Sequence, residues 1–236
     1  MSAEHEPSFQ PDTEATPLPR PADFWGALGT LTVLPLPRPN PGSEAFGRAA
    51  IFFPVVGMLI GTLLVGVQWV TVSRLPRWWA ALAVVLTWEA TTGAALERAN
   101  QPAGVFRFVA LAAIAAAKTV CTIAAATRPA AFLFAPLLAR WALVVLATGV
   151  RDVAVPGRKF NPAITFREFA LASVFSFAVV FAVADAFGIV IVVGVAALTL
   201  AVRMSVHRWV GGVSWRFLLG CVEAFELFIL AVCAVV

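Results

Sequence analysis

Charge is scarce in this chain. Only 13% of its 236 residues are Asp, Glu, Lys or Arg, while 61% are apolar. Soluble domains hold about 25% charged and about 45–50% apolar residues. A water-soluble globule is therefore excluded for most of the length. Histidine is scarcer still, with only His5 and His207. That rules out a His-based zinc site and leaves no well-placed base for a Ser/His/Asp set. The three cysteines, Cys121, Cys221 and Cys233, lie inside apolar runs without metal-ligand spacing. They form no disulfide framework and read as small packing residues. A phosphate-cradling Gly-rich loop is missing. So is a basic stripe interleaved with surface aromatics, so nucleic acid is not a partner. Residues 1–22 lack the basic start and apolar run of a signal peptide. Their Pro- and Glu-rich composition predicts a disordered cytoplasmic tail.

What remains is long apolar runs, and mean hydropathy is +0.89. A helix needs about 20 apolar residues to cross a bilayer core of roughly 30 Å. Seven runs qualify, near 49–72, 78–96, 108–127, 129–150, 169–184, 186–202 and 217–236. The fold class is thus an all-α polytopic integral membrane bundle, with residues 23–236 as one membrane domain. Residues 24–34 are apolar but too short to span, and predict an interfacial or re-entrant helix. Pro35, Pro37, Pro39 and Pro41 make an extended connector. Gly57 and Gly61, four apart in the first span, permit close helix contact. Asp185 is expected at a solvated outer turn between the fifth and sixth spans. Trp25, Trp69, Trp78, Trp79, Trp209 and Trp215 fall near span ends, as aromatic belts do.

The basic residues give an orientation. Arg20, Arg38 and Arg48, then Arg98 and Arg107, then Arg151, Arg158, Lys159 and Arg167, then Arg203, Arg208 and Arg216 occupy alternate gaps. The opposite gaps hold Arg74, Arg77 and Arg128. Positive charge stays on the cytoplasmic side during insertion. The pattern predicts an inner-membrane protein with its N-terminus in the cytoplasm and its C-terminus outside.

Five charges fall inside the predicted spans: Glu89, Lys118, Arg140, Glu223 and Glu226. Each costs free energy in a membrane and is expected to face a partner or a cavity. With three acids against two bases, mutual pairing is the simplest account. The pairing can serve as a salt-bridge network that holds the bundle, or as a polar chamber for an anionic or amphipathic ligand. Glu223 and Glu226, three apart, share a helix face and could hold Mg²⁺ through hard carboxylate oxygens.

Several short segments resemble one family, in its order. Phe24-Trp25 with Leu31-Thr32-Val33-Leu34-Pro35-Leu36-Pro37 resembles its opening F-x-x-A-L-x-F-L-T-R-L-P-V-P. The run from Phe52-Phe53-Pro54 to Gly61 resembles its F-P-L-V-G-L-L-I-G. Thr92-Gly93 looks like the start of its T-G-G-L-H-L-D-G-L-A-D-T-x-D-G. Gly104-Val105-Phe106 through Lys118, and Ala135-Pro136 through Arg140-Trp141, match two more pieces. Gly211-Gly212 through Glu223 and Glu226 matches a last one. The chain resembles the cobalamin synthases, membrane adenosylcobinamide-GDP ribazoletransferases.

The resemblance implies a multi-helix membrane fold and transfer of α-ribazole or its phosphate to adenosylcobinamide-GDP, with release of GMP. It implies Mg²⁺ as cofactor, with Glu223 and Glu226 for the metal and Lys118 and Arg140 for substrate phosphate. A corrinoid or nucleotide ligand and a homo-oligomer or membrane-protein partner follow, beside the lipid bilayer. One departure matters. The Asp-rich loop after Thr92-Gly93 is absent, the Asp of T-G-D is Arg216, and the Arg of T-R-L-P is Val33. Arginine has no lone pair to offer a metal. In one register Leu96-Glu97 follows a deleted loop. In another, Glu97 stands on the loop's first Asp. Replacement of the missing ligands by Glu89 or Glu97 stays open, and the alternative to an active transferase is an inactive paralogue serving as a structural or ligand-binding subunit. No catalytic residue is assigned.

Overall fold

In the computed structural model, residues 18–40, 43–93, 105–149, 164–209 and 215–235 are described. Their regular secondary structure is all helical, with no strand among them. The helices are α1 (Pro21–Leu31), α2 (Glu44–Ala50), α3 (Phe53–Val72), α4 (Arg77–Thr92), α5 (Val105–Ala124), α6 (Pro129–Ala147), α7 (Phe166–Trp209) and α8 (Trp215–Val235). Most of the expected tail (residues 1–17), Glu97 and Gly211–Ser214 lie outside the described residues.

The N-terminal segment forms its helix as predicted. Asp23 accepts a hydrogen bond from the Arg20 backbone N–H at 2.8 Å, satisfying one donor at the start of α1. The same carboxylate takes Arg48 Nε at 3.2 Å and so ties α1 to α2. Helix α2 was not foreseen. Ser43 caps it by accepting from Phe46 N–H. The chain then turns at Ile51–Phe52, and α3 starts with Pro54 in its first turn. The first span therefore begins at Phe53 rather than at residue 49. At the other end of this region, α4 stops at Gly93, whose φ of 63° suits glycine. The Val33 N–H donates to Thr91 O there. The segment after α1 thus covers the end of α4.

Helix α6 forms the axis of the bundle and packs on α3, α7 and α8. Its closest contact is with α3, and the glycines explain it. A Cβ on Gly57 would lie 2.4 Å from Pro136 O, and one on Gly61 would lie 2.8 Å from Leu133 Cα. Only hydrogen in place of a side chain lets the two backbones meet there. The sequence expectation for this glycine pair holds.

Helix α7 differs from expectation. The turn at Asp185 is absent, and one helix of 44 residues runs from Phe166 to Trp209. At 1.5 Å per residue that is about 66 Å, twice the core of a bilayer. The reason is local: no proline interrupts the two apolar runs, and Ala184-Asp185-Ala186 supplies helix-compatible residues. At its start, Glu168 accepts from the Thr165 backbone N–H at 2.8 Å. Among the described residues, five segments are long and apolar enough to cross a membrane: Phe53–Val72, Pro129–Ala147, Phe166–Val183, Gly188–Val206 and Phe217–Val235. The helical, multi-pass membrane character is therefore clear.

Candidate functional site

The five charges predicted inside spans meet at one place. Glu89 comes from α4, Lys118 from α5, Arg140 from α6, and Glu223 and Glu226 from α8. Lys118 Nζ lies 2.8 Å from Glu89 Oε1, 2.9 Å from Glu223 Oε2 and 2.9 Å from Glu226 Oε2. The ammonium donates hydrogen bonds to Glu89 Oε1 and Glu226 Oε2 and makes an ion pair with Glu223 Oε2. The other oxygen of Glu226 takes Arg140 Nη1 at 2.7 Å. That same Nη1 donates to Pro136 O at 3.0 Å. Lys118, Arg140, Glu223 and Glu226 are all buried, while Glu89 is only partly covered.

Each side chain is set by its helix. Glu223 and Glu226 are three apart, which places both on the face of α8 that meets α5 and α6. Gly57 leaves room on α3 for the Arg140 stem, since a Cβ there would lie 2.9 Å from Arg140 Cδ. Buried charges need partners with good geometry to offset desolvation, and this cluster supplies them among its own members.

One contributor to the cluster and one buried neighbour along α5 were missed by sequence reasoning. The Trp88 ring, fully buried, lies 4.8 Å from Lys118 Nζ and faces the cation with its π-electrons. Nothing in the sequence marks that pairing. Thr122 stands one turn beyond Lys118 on the same face of α5 and is also fully buried. That spacing was readable, since positions four apart share a face. Thr122 Oγ1, Trp88 Nε1 and Arg140 Nε have no hydrogen-bond partner.

The metal expectation meets a chemical obstacle. Mg²⁺ demands near-octahedral oxygen ligands at about 2.0–2.1 Å. Both oxygens of Glu226 are held by Lys118 and Arg140, and Glu223 and Glu89 each commit one oxygen to the same ammonium. No group of three His, Cys, Asp or Glu is arranged to hold a metal among the described residues. As arranged, these residues do not fit Mg²⁺. Cys121, Cys221 and Cys233 are free. An open groove along α4, lined by Leu75, Trp79, Leu82, Ala83 and Leu86, carries no polar side chain. Of the expected belt residues, Trp25, Trp69, Trp78 and Trp79 are exposed, while Trp215 packs edge-on against Phe46 at 5.6 Å.

A helical membrane protein with a five-member ion cluster, four of its members buried, is thus the class that fold and site define. Comparison with known proteins narrows it. Residues 23–96 match the family model described as cobalamin-5-phosphate synthase. The adenosylcobinamide-GDP ribazoletransferase of Brevibacillus brevis is 33% identical over 70 residues, which is 30% of this chain and 28% of that protein. That of Acinetobacter baumannii is 41% identical over 71 residues, 30% of this chain and 28% of the relative. That of Pseudomonas syringae is 38% identical over 71 residues, 30% and 29% respectively. The resemblance to the cobalamin synthase family is therefore shown over the first third of the chain. The matched stretch spans less than a third of the length of these relatives. It holds α1 to α4, and so Glu89 and Trp88, but none of the other cluster members. No solved structure matches.

Proposed function

We propose that this chain is a cobalamin synthase-like membrane transferase acting in assembly of the nucleotide loop of cobalamin. The reaction would join α-ribazole or its phosphate to adenosylcobinamide-GDP and release GMP. The charge cluster would be its polar centre, with Lys118 and Arg140 facing substrate phosphate. One observation carries the reading: Arg140 Nε is buried without a partner beside the cluster, a charged donor left over for an oxygen ligand. Such a group is costly unless something bonds it, and a phosphate oxygen would. Arginine is well suited to phosphate because its planar fork of N–H donors matches the anion. Assignment of Mg²⁺ to Glu223 and Glu226 rests on the family resemblance alone, and no step is built on it. A homo-oligomer or membrane partner belongs to the same proposal.

The test is the transferase assay on the full chain in nanodiscs, beside an established family member. Wild type should form the cobalamin product, and Arg140→Lys should lose turnover while eluting as wild type does. That variant keeps the charge and discards the Nε donor. No product from wild type, with the family member active, would overturn the proposal in favour of a ligand-binding paralogue.

Placement belongs here too. The arginine pattern supports the inner membrane, a cytoplasmic N-terminus and an outside C-terminus. Reporters of opposite compartment preference fused at each end test it. A single crossing by α7 would instead put both termini on one side.

A further inference from the structure

We propose that α1 lies flat along one surface of the bilayer and, with Arg20 and Arg38, binds anionic phospholipid headgroups there. The inference does not require the transferase reading. It decides between two forms that the sequence leaves open, since a short apolar run suits an interfacial helix and a re-entrant one alike.

Both ends of α1 are tied to the same end of the bundle. Helices α3 and α4 pack on each other and are joined by residues 73–76 alone, so they run antiparallel. The start of α3 and the end of α4 therefore lie on one side. The first turn of α1 is held beside the start of α3. Asp23 takes Arg48 Nε from α2, and the Phe24 ring meets Phe52 edge-on at 5.8 Å. The chain leaving α1 is held at the end of α4, where the Val33 N–H donates to Thr91 O at 3.0 Å. Helix α3 has 20 residues and α4 has 16, so these two levels differ by about 6 Å. A re-entrant helix would instead carry one end to mid-bilayer, about 15 Å in. The chain then folds back along α1. A Cβ on Gly26 would lie 3.1 Å from Pro39 Cδ, and one on Gly29 would lie 3.0 Å from Leu36 Cβ.

What this unit leaves uncovered suits a headgroup layer. Trp25 is 52% exposed, Leu34 48% and Val33 40%. Tryptophan favours that depth, where its ring is apolar and its N–H is wet. Charge names the lipid. Residues 18–40 hold Arg20, Asp23 and Arg38 as their charged members. Asp23 is buried and paired with Arg48, whereas Arg20 and Arg38 are exposed. The outward charge is therefore positive only, and basic residues at a membrane surface draw anionic lipid.

Trp25 supplies the readout. The chain has eight tryptophans, so its signal is the emission of wild type minus that of Trp25→Phe, each as the full chain in nanodiscs. Phosphatidylcholine brominated near the headgroup should quench this signal more than phosphatidylcholine brominated near the chain ends, and aqueous acrylamide should quench it little. Stronger quenching by chain-end bromine would mean a re-entrant helix and overturns the proposal. Quenching by acrylamide alone, or by neither, would mean that water or a protein surface covers Trp25, and overturns it too. Headgroup choice is read from the same difference at low salt. Brominated phosphatidylglycerol doped into phosphatidylcholine should quench at least about twofold more than brominated phosphatidylcholine at the same level. In the Arg20→Gln/Arg38→Gln background the two should quench alike. Equal quenching in wild type, or a preference that survives the double substitution, overturns the assignment of anionic lipid to these arginines.

Discussion

Helices α6 and α7 are alike as strings and opposite as structures. The apolar window of α6 has a mean hydropathy of 2.0, and those of α7 have 1.8 and 2.4. Yet 89% of the α6 window is buried, against 22% and 28% in α7. Hydropathy says that a segment prefers lipid to water. It does not say whether the segment faces lipid or protein, because lipid tails are as apolar as leucine. The difference lies in what each helix can bond to. Helix α6 carries Arg140, which needs a carboxylate, and faces the glycines of α3, which admit its backbone. The described exposed side chains of α7 include Val174, Phe181, Ile189 and Val193, which need nothing but an apolar surround.

Substitutions should sort along that line. Arg140→Met removes the cation from Glu226 at the centre and should cost about 3–5 kcal/mol, read as loss of unfolding free energy in detergent. If Arg140→Met unfolds like wild type, α6 is not held by its charge. Gly57→Ala forces a methyl to within 2.4 Å of Pro136 O. It should cost about 1–3 kcal/mol, visible as a lowered Tm. Gly66 sharpens the comparison, since it lies on the same α3 with nothing within 4 Å of an added Cβ. Gly66→Ala should raise stability by about 0.5–1 kcal/mol, because alanine is the better helix former. A loss there like that at Gly57 would mean that the helix, not the seam, is sensitive. Smallest of all, Val193→Ala on the exposed face of α7 should stay within about 0.5 kcal/mol of wild type. A larger loss would show that this face is covered by another protein surface.

Much of the centre was readable from residue type. Charges in apolar runs are rare enough to mark themselves, and Gly57 with Gly61 marked the seam. The partners were not readable. Lys118 and Glu226 are 108 residues apart, and Arg140 and Glu226 are 86 apart. Such pairs are fixed by how helices dock, which no local pattern encodes. Trp88 was hidden for the same reason. The missed helix α2 had its signal in Ser43-Glu44, a capping residue and an acid at a helix start. The continuity of α7 is hard to read because an acidic residue between two apolar runs resembles a turn, although nothing there breaks a helix.

The 86 residues between Arg140 and Glu226 also set a schedule for synthesis. Lys118 enters the membrane after Glu89, so its first partner is already made. Arg140 does not have that advantage, because its carboxylate arrives with the last helix. At about 5–20 residues per second, that gap amounts to roughly 4–17 s of translation. Through that interval α6 must lodge in the bilayer with its guanidinium bonded to Pro136 O or to water. The final helix is therefore the clasp of the bundle, and a ribosome halted before it would leave an insertion intermediate with an exposed cation for membrane quality control to find.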